Sequence, residues 1–293
     1  MGILTKIELS SPDVSLSEQA FSRLRDFIYR QTGIYFPDNK KYFLENRLYQ
    51  RLKALKLKDF DTYVHKIQNG LMNGELQHLI NQITVNETFF FRNEAQLEAL
   101  ERGVFPPLLE QARHRPGRAV RIWSAACSTG EEPYTIAILL REKFRHLLAD
   151  IRLEILATDI NSQVIQKARQ GYYREYAVRK IAPEWLQRYF RPHGNFFQIV
   201  PEIRRMVHFR QMNLMDRLAM QQIRGMDVII CANVLLYFDE RSKRQVVNSL
   251  YDSLNPGGYL LLGYSESLYG ISHAFKPVHF SKTILYKKEC HYA

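Results

Sequence analysis

Cysteine is scarce in this 293-residue chain, and what there is does not pair. Residues 127, 231 and 290 form no Cys-x-x-Cys unit, which argues against a disulfide framework and for a reducing compartment. Cys127 and Cys231 fall where strands should end, so packing is their expected role. The nine histidines include no HxxxH or HExxH pair, so no metal is expected. Apolar runs such as Val228–Cys231 and Leu260–Leu262 are far shorter than the ~20 residues a membrane-spanning helix needs. Met1–Lys6 lacks the basic-then-apolar order of a secretory signal, and Lys6 replaces the Ser or Thr of a myristoylation start. Residues 1–15 read as a loose segment, and no repeat or low-complexity tract follows. Acidic residues are also in deficit. The formal net charge of +11 points to an acidic partner, either nucleic acid or an acidic protein surface.

What remains is patterned in two ways. From Leu16 to about Ile83 every segment reads as helix. Phe21, Leu24, Phe27 and Ile28 recur at helical spacing over Ser17–Gln31, with Gly33 as a stop. Asp38 is the expected N-cap of a second helix carrying Leu44, Leu48, Leu52 and Leu55, and Asp59 or Asp61 that of a third. A fourth helix spans Gly74–Ile83. Beyond Val120, strand candidates (Val120–Ser124, Leu153–Thr158, Met226–Ala232, Tyr259–Leu262, Thr283–Lys287) alternate with helix candidates (Glu132–Leu147, Ser162–Gln170, Arg241–Leu254). Such alternation predicts a doubly wound, mostly parallel α/β sheet. Between Gly171 and Asn213 it breaks. Pro183–Phe190 reads as helix there, and Asn195–Val200 and Arg205–Gln211 read as paired strands of a β-rich insertion. The expected domains are an all-α unit at 1–85, a linker at 86–118 and an α/β unit at 119–293 with the insertion at about 172–212.

The most informative stretch is Ser124-Ala-Ala-Cys-Ser-Thr-Gly-Glu-Glu-Pro-Tyr134. A small-residue turn between a strand and a helix is where a nucleotide-like ligand sits in an open α/β sheet. This turn lacks the glycines of a pyrophosphate loop and carries Glu131 and Glu132, which would repel phosphate. The ligand should bring positive charge and no phosphate, a description that S-adenosylmethionine fits. Asp159, at the end of the second strand, is placed to accept ribose hydroxyls, with helix N-capping as the plainer reading. Asn86-Glu-Thr-Phe-Phe-Phe-Arg92 reads either as a docking tract or as a lid whose polar side faces a ligand. Asn233–Asp239 follows a central strand and faces the crevice, Tyr237 included. Gly263-Tyr-Ser-Glu-Ser267 reads as a turn, since it lacks the final glycine and the partners of a nucleophile elbow. Residues 40–58 hold seven basic side chains and one acid, and Lys40, Arg47, Arg51 and Lys58 share one stripe, a candidate docking surface.

Taken together, Asn86–Arg92, Trp123–Tyr134, Ala157-Thr-Asp-Ile160, Cys231–Asp239 and Gly263-Tyr-Ser-Glu266 resemble the chemotaxis receptor methyltransferases, the CheR family. The resemblance implies a class I methyltransferase sheet behind an all-α domain. It implies methyl transfer from S-adenosylmethionine to glutamates of chemoreceptor cytoplasmic helices, with S-adenosylhomocysteine as product. Asn86, Thr88, Arg92, Glu132, Asp159, Asn213, Leu214 and Asn233 would line the cofactor site, and Arg92 and Tyr237 would lie nearest the transferred methyl. The basic second helix would meet the acidic receptor, in the cytoplasm at membrane-bound receptor arrays. Ala232 stands where the family often has arginine, and Pro192-His-Gly-Asn195 is short for a loop that binds a receptor tail peptide, so such tethering is not expected. Two other classes are open: a nucleic-acid N-methyltransferase, which usually has an Asn/Asp-Pro-Pro-Tyr motif where this chain has Val234 and Leu235, and a non-catalytic cofactor-sensing adaptor.

Overall fold

The computed structural model describes residues 14–280 and 282–290, so the expectation for most of the first 15 residues lies outside the described residues. The chain divides into two compact units at Thr84 and Val85.

The first unit is helical. Helix α1 (Glu18–Thr32) starts where the Ser17 side chain accepts the Ala20 N–H at 3.1 Å, and it stops at Gly33, whose φ of 73° suits glycine. Helix α2 (Lys41–Ala54) buries Leu44, Leu48 and Leu52, and α3 (Phe60–Gln68) and α4 (Glu75–Ile83) close the core with Phe60, Val64 and Leu79. Asp59 caps α3 through the Thr62 N–H at 2.7 Å. Asp61 instead takes the Ser17 hydroxyl, and Asp38 does not cap α2. Asp38 lies in a short 3₁₀ turn (Asp38–Lys40) and pairs with Arg25, a charge partner that the local sequence does not reveal.

In the second unit, α5 (Glu94–Ala99) and α6 (Phe105–His114) lead into a seven-stranded sheet. Its strands are β1 (Ala119–Ala125), β2 (Arg152–Asp159), β6 (Val207–Gln211), β7 (Met226–Cys231), β8 (Leu254–Leu262), β9 (Phe275–Phe280) and β10 (Thr283–Lys288). Their order is β6-β2-β1-β7-β8-β10-β9, with β10 alone running against the other six. The chain winds outward from β1 through β2 to β6, then returns to place β7 against the other side of β1. That reversal opens a crevice at the carboxyl ends of β1 and β7. Helices α7 (Glu131–Lys143), α8 (Ser162–Gln170) and α13 (Glu240–Ser253) connect the strands, and all six residues of β7 are buried, as a central parallel strand requires.

A separate antiparallel sheet, ordered β3-β5-β4, comprises β3 (Tyr172–Tyr173), β4 (Phe190–His193) and β5 (Phe196–Ile199). Two short helices, α9 (Glu175–Val178) and α10 (Pro183–Tyr189), lie between β3 and β4. The expected pairing of Asn195–Val200 with Arg205–Gln211 is corrected. Strand β5 pairs with β4 across a two-residue turn at Gly194 and Asn195, while β6 lies parallel to β2, Phe209 opposite Ala157. Both runs have strand character, and the exposed ladder of β2 decides the partner of the second. Helix α11 (Pro201–Arg204) precedes β6, and α12 (Arg217–Gln221) follows it. Strand β9 escapes the sequence pattern because Pro277 interrupts it, which an edge strand tolerates.

Candidate active site

The turn after β1 is bent by positive φ at Ala126, Ser128 and Gly130. A Cβ on Gly130 would meet the Ala168 Cβ at 2.9 Å and the Tyr173 hydroxyl at 3.2 Å, so φ and space both demand glycine there. The Tyr173 hydroxyl donates to the Thr129 carbonyl at 2.9 Å and holds the turn from the small sheet's side. At the end of β1 the Ser124 hydroxyl donates to Glu132 at 2.6 Å. Burial pushes the Glu132 carboxyl up to about 7, against the Ser124 bond and the Arg92 charge, which both pull it down. Glu131 is buried and raised for the same reason, with the Thr129 hydroxyl 2.7 Å away in opposition. The buried Cys127 thiol is pushed well up, first by burial and then by Asp159, Glu132 and Glu131. Three carboxylates therefore surround one turn.

Asp159 is not a helix cap. Asn161 performs that task for α8, its side-chain oxygen accepting from Gln163 and Val164. One oxygen of Asp159 takes the Ser128 N–H at 2.9 Å and the other takes the Asn161 N–H at 2.9 Å. The Ile160 N–H also acts on this carboxylate, so three backbone donors hold it and, of about four acceptor positions, about one is left for a ligand hydroxyl. Burial raises the Asp159 carboxyl, and these backbone N–H groups act against that rise. Asn213 and Leu214 follow β6, where the Met212 N–H binds the Asp159 carbonyl at 2.8 Å and sets them beside the end of β2. The Asn213 side chain accepts the Met215 N–H at 2.9 Å, and Leu214 is buried.

The tract before the sheet is both packed and polar. Phe90 is fully buried, edge-on to Tyr173 at 4.8 Å and to Phe190 at 5.1 Å, and Phe91 packs against Trp185. The Asn86 carbonyl accepts the Ser128 hydroxyl at 3.0 Å, which ties the tract to the β1 turn, and Thr88 is half-buried nearby in sequence. Arg92 donates to the Glu87 carbonyl at 2.9 Å. Its charge is close enough to lower both Glu132 and Tyr237, while burial outweighs it and raises the Tyr237 phenol. Arg92, Glu132 and Tyr237 thus share one electrostatic neighbourhood.

Glu266, which the sequence places only in a turn of the resembling tract, organises the segment that holds Asn233 and Tyr237. Its carboxylate accepts the N–H groups of Asn233 and Val234 at 2.8 Å, Leu236 at 3.2 Å and Gly263 at 2.7 Å. That clamp fixes Asn233 in a left-handed conformation (φ 60°) and caps the short turn Leu235–Tyr237. A Cβ on Gly263 would lie 2.7 Å from the Asn233 nitrogen and 2.8 Å from Glu266, so strands β7 and β8 can approach only with glycine there.

In the helical unit, Lys40, Arg47 and Lys58 are exposed, and the Arg47 guanidinium lies 5.2 Å from the centre of the Phe43 ring. Arg51 departs from its expected place on an open basic stripe. It makes two bonds to the carboxylate of Glu75, one of them 3.0 Å from Nε, and the Tyr63 hydroxyl donates to the same carboxylate at 3.0 Å. Glu75 is 2% exposed, so the Arg51 charge is met inside the unit.

The donor set fits S-adenosylmethionine: clustered carboxylates suit a cationic ligand and would repel a pyrophosphate, and Asp159 keeps an acceptor position beside the turn. Among the described residues, no group of three or more His, Cys, Asp or Glu is arranged to hold a metal ion. Residues 86–284 match the family described as CheR methyltransferase, SAM binding domain, and residues 19–84 match CheR methyltransferase, all-alpha domain. The chain is 41% identical over 278 residues to chemotaxis protein methyltransferase 2 of Vibrio cholerae, covering 94% of this chain and 95% of that one. It is 36% identical over 267 residues to the chemotaxis protein methyltransferase of Escherichia coli, covering 89% of each. With chemotaxis protein methyltransferase 1 of Pseudomonas aeruginosa it shares 34% over 278 residues, 94% of this chain and 99% of that one. The chain therefore belongs to the CheR family of S-adenosylmethionine-dependent methyltransferases.

Proposed function

We propose that this protein methylates glutamate side chains on the cytoplasmic helical domain of chemoreceptors, forming methyl esters that set receptor adaptation. The observation that carries this reading is its likeness over nearly full length to chemotaxis protein methyltransferases. The site's chemistry agrees. Bound S-adenosylmethionine supplies a methyl group on a positively charged sulfur. A glutamate carboxylate, with an ordinary pKa of about 4.3, is already a nucleophile at neutral pH and needs no general base. Arg92 and Tyr237 suit such a reaction, since one offers a cation and the other a hydroxyl, and both orient a carboxylate without removing a proton. Asn86, Thr88, Glu132, Asp159, Asn213, Leu214 and Asn233 would hold the cofactor. Asp159 and Leu214 are buried and the other five are half-buried, which limits water around an attack that consumes opposite charges. Too strong an Arg92–carboxylate pair would stabilise the ground state, so orientation is its assigned role.

The exposed Lys40, Arg47 and Lys58 would meet the acidic receptor, with Arg51 holding α2 in place behind them. On this reading the enzyme would act in the cytoplasm, recruited to receptor arrays. Among the described residues no helix is long and apolar enough to cross a membrane. The β4–β5 hairpin turns in two residues, and no receptor tail peptide is assigned to it. The nucleic-acid and adaptor readings are not favoured. Tandem mass spectrometry of a receptor fragment after reaction tests the proposal. Methyl groups on glutamate side chains are expected, and methyl groups on lysine, arginine or nucleic acid would contradict it.

A further inference from the structure

Arg179, just beyond α9, has no role in the site as described. Its guanidinium carbon sits 3.5 Å from the ring centre of Tyr176 and 3.9 Å from that of Phe89. One Nη donates to the Tyr176 carbonyl. Two aromatic rings and a backbone bond therefore hold an exposed cation in place. Two acids lie nearby, and among the described residues neither forms an ion pair with Arg179. Glu87 accepts the Tyr176 hydroxyl at 3.3 Å, and Glu94 faces Lys180 at 3.5 Å. Among the described residues neither Arg179 nor Arg92 forms an ion pair. Arg92 also stands over the Phe89 ring, 5.8 Å from its centre, so the two guanidinium carbons lie within about 10 Å of each other.

A guanidinium held against two rings, with most of its five N–H donors unused, is suited to a carboxylate in bidentate contact. Fixing it beforehand lowers the entropy lost on binding. On a helix, side chains three or four positions apart are neighbours about 5–6 Å apart, within the span of two such cations. We propose that Arg179 is a specificity-determining residue that pairs with a second acidic side chain, one helical turn from the glutamate being methylated. The inference rests on the receptor-methylation reading and adds to it a requirement on the substrate helix.

The test compares steady-state methylation of a receptor cytoplasmic fragment by wild type, Arg179→Ala and Arg179→Lys. A second fragment carries Glu→Gln substitutions one turn to either side of the methylated glutamate. Arg179→Ala is expected to raise KM for the first fragment about fivefold to tenfold, with kcat and S-adenosylhomocysteine affinity within twofold of wild type. Arg179→Lys, which keeps charge but loses the planar fork, should fall between. On the Gln fragment, wild type should lose the same factor and Arg179→Ala should lose nothing further. The inference is overturned if Arg179→Ala matches wild type, or if its loss falls on kcat or cofactor affinity, as a purely structural staple between Phe89 and Tyr176 would require. It is equally overturned if both enzymes lose alike on the Gln fragment. If wild type itself forms no ester on either fragment, the receptor-methylation reading fails instead, and the two failures are distinct.

Discussion

Glu266 accepts the backbone N–H of Asn233 at 2.8 Å, joining the ends of two strands from residues 33 positions apart. The same carboxylate holds Val234, Leu236 and Gly263, so one anion shapes the whole segment that presents Asn233 and Tyr237. Replacing Glu266 by glutamine sets an NH₂ group against backbone donors. Glu266→Gln is expected to lower kcat 10- to 100-fold and to weaken S-adenosylhomocysteine binding, since hydrogen bonds to charged groups contribute about 1.5–3 kcal/mol each. Calorimetric titration and kinetics check both, and wild-type values in both would remove Glu266 from the site.

The Glu132 carboxyl, pushed up to about 7, couples cofactor binding to pH. A cationic ligand favours the ionised form, so affinity for S-adenosylmethionine should rise through pH 7 and level off above it. Below pH 7 it should fall roughly tenfold per unit. The cofactor-free protein should show the opposite sign. With the folded value above the ordinary 4.5, the stability this group contributes is full below 4.5 and lost as pH rises through about 7. Glu132→Gln should flatten both profiles, measured by binding and by thermal unfolding between pH 5.5 and 8.5.

Arg51 and its neighbours on α2 should separate cleanly by phenotype. Arg51→Ala leaves the Glu75 charge buried without its partner and is expected to cost about 3 kcal/mol of stability. Alanine at Lys40, Arg47 or Lys58 should leave the unfolding midpoint within a degree or two while weakening receptor-fragment binding and its dependence on salt. Denaturant unfolding and binding at two ionic strengths distinguish the two classes.

Gly130→Ala tests the turn. A residue forced to a φ of 94°, with its Cβ 2.9 Å from Ala168, should lose roughly 1–3 kcal/mol of stability and most cofactor affinity. Unchanged affinity would mean that the turn does not face the ligand.

The cofactor turn was legible because its signal is local: a strand, a small-residue bend and a helix follow one another between Val120 and Lys143. Asp159 stands out in the sequence by its place at a strand end, and the structure gives the alternative capping role to Asn161. Glu266 does not stand out, because its four partners include residues 30 or more positions away and a surface turn is the commoner fate of such a tract. Strand β6 was assigned to the wrong sheet because strand character does not name a partner. The partner of Arg51 is hidden for a related reason: a helical stripe gives direction, and Glu75, at the start of another helix, supplies the charge it meets.

The most direct measurement is transfer of labelled methyl from S-adenosylmethionine to a receptor cytoplasmic fragment, followed by mild alkali. The glutamate-ester reading predicts label that is bound to the fragment and released by alkali. Alkali-stable label on the fragment, or label on added nucleic acid, would contradict it.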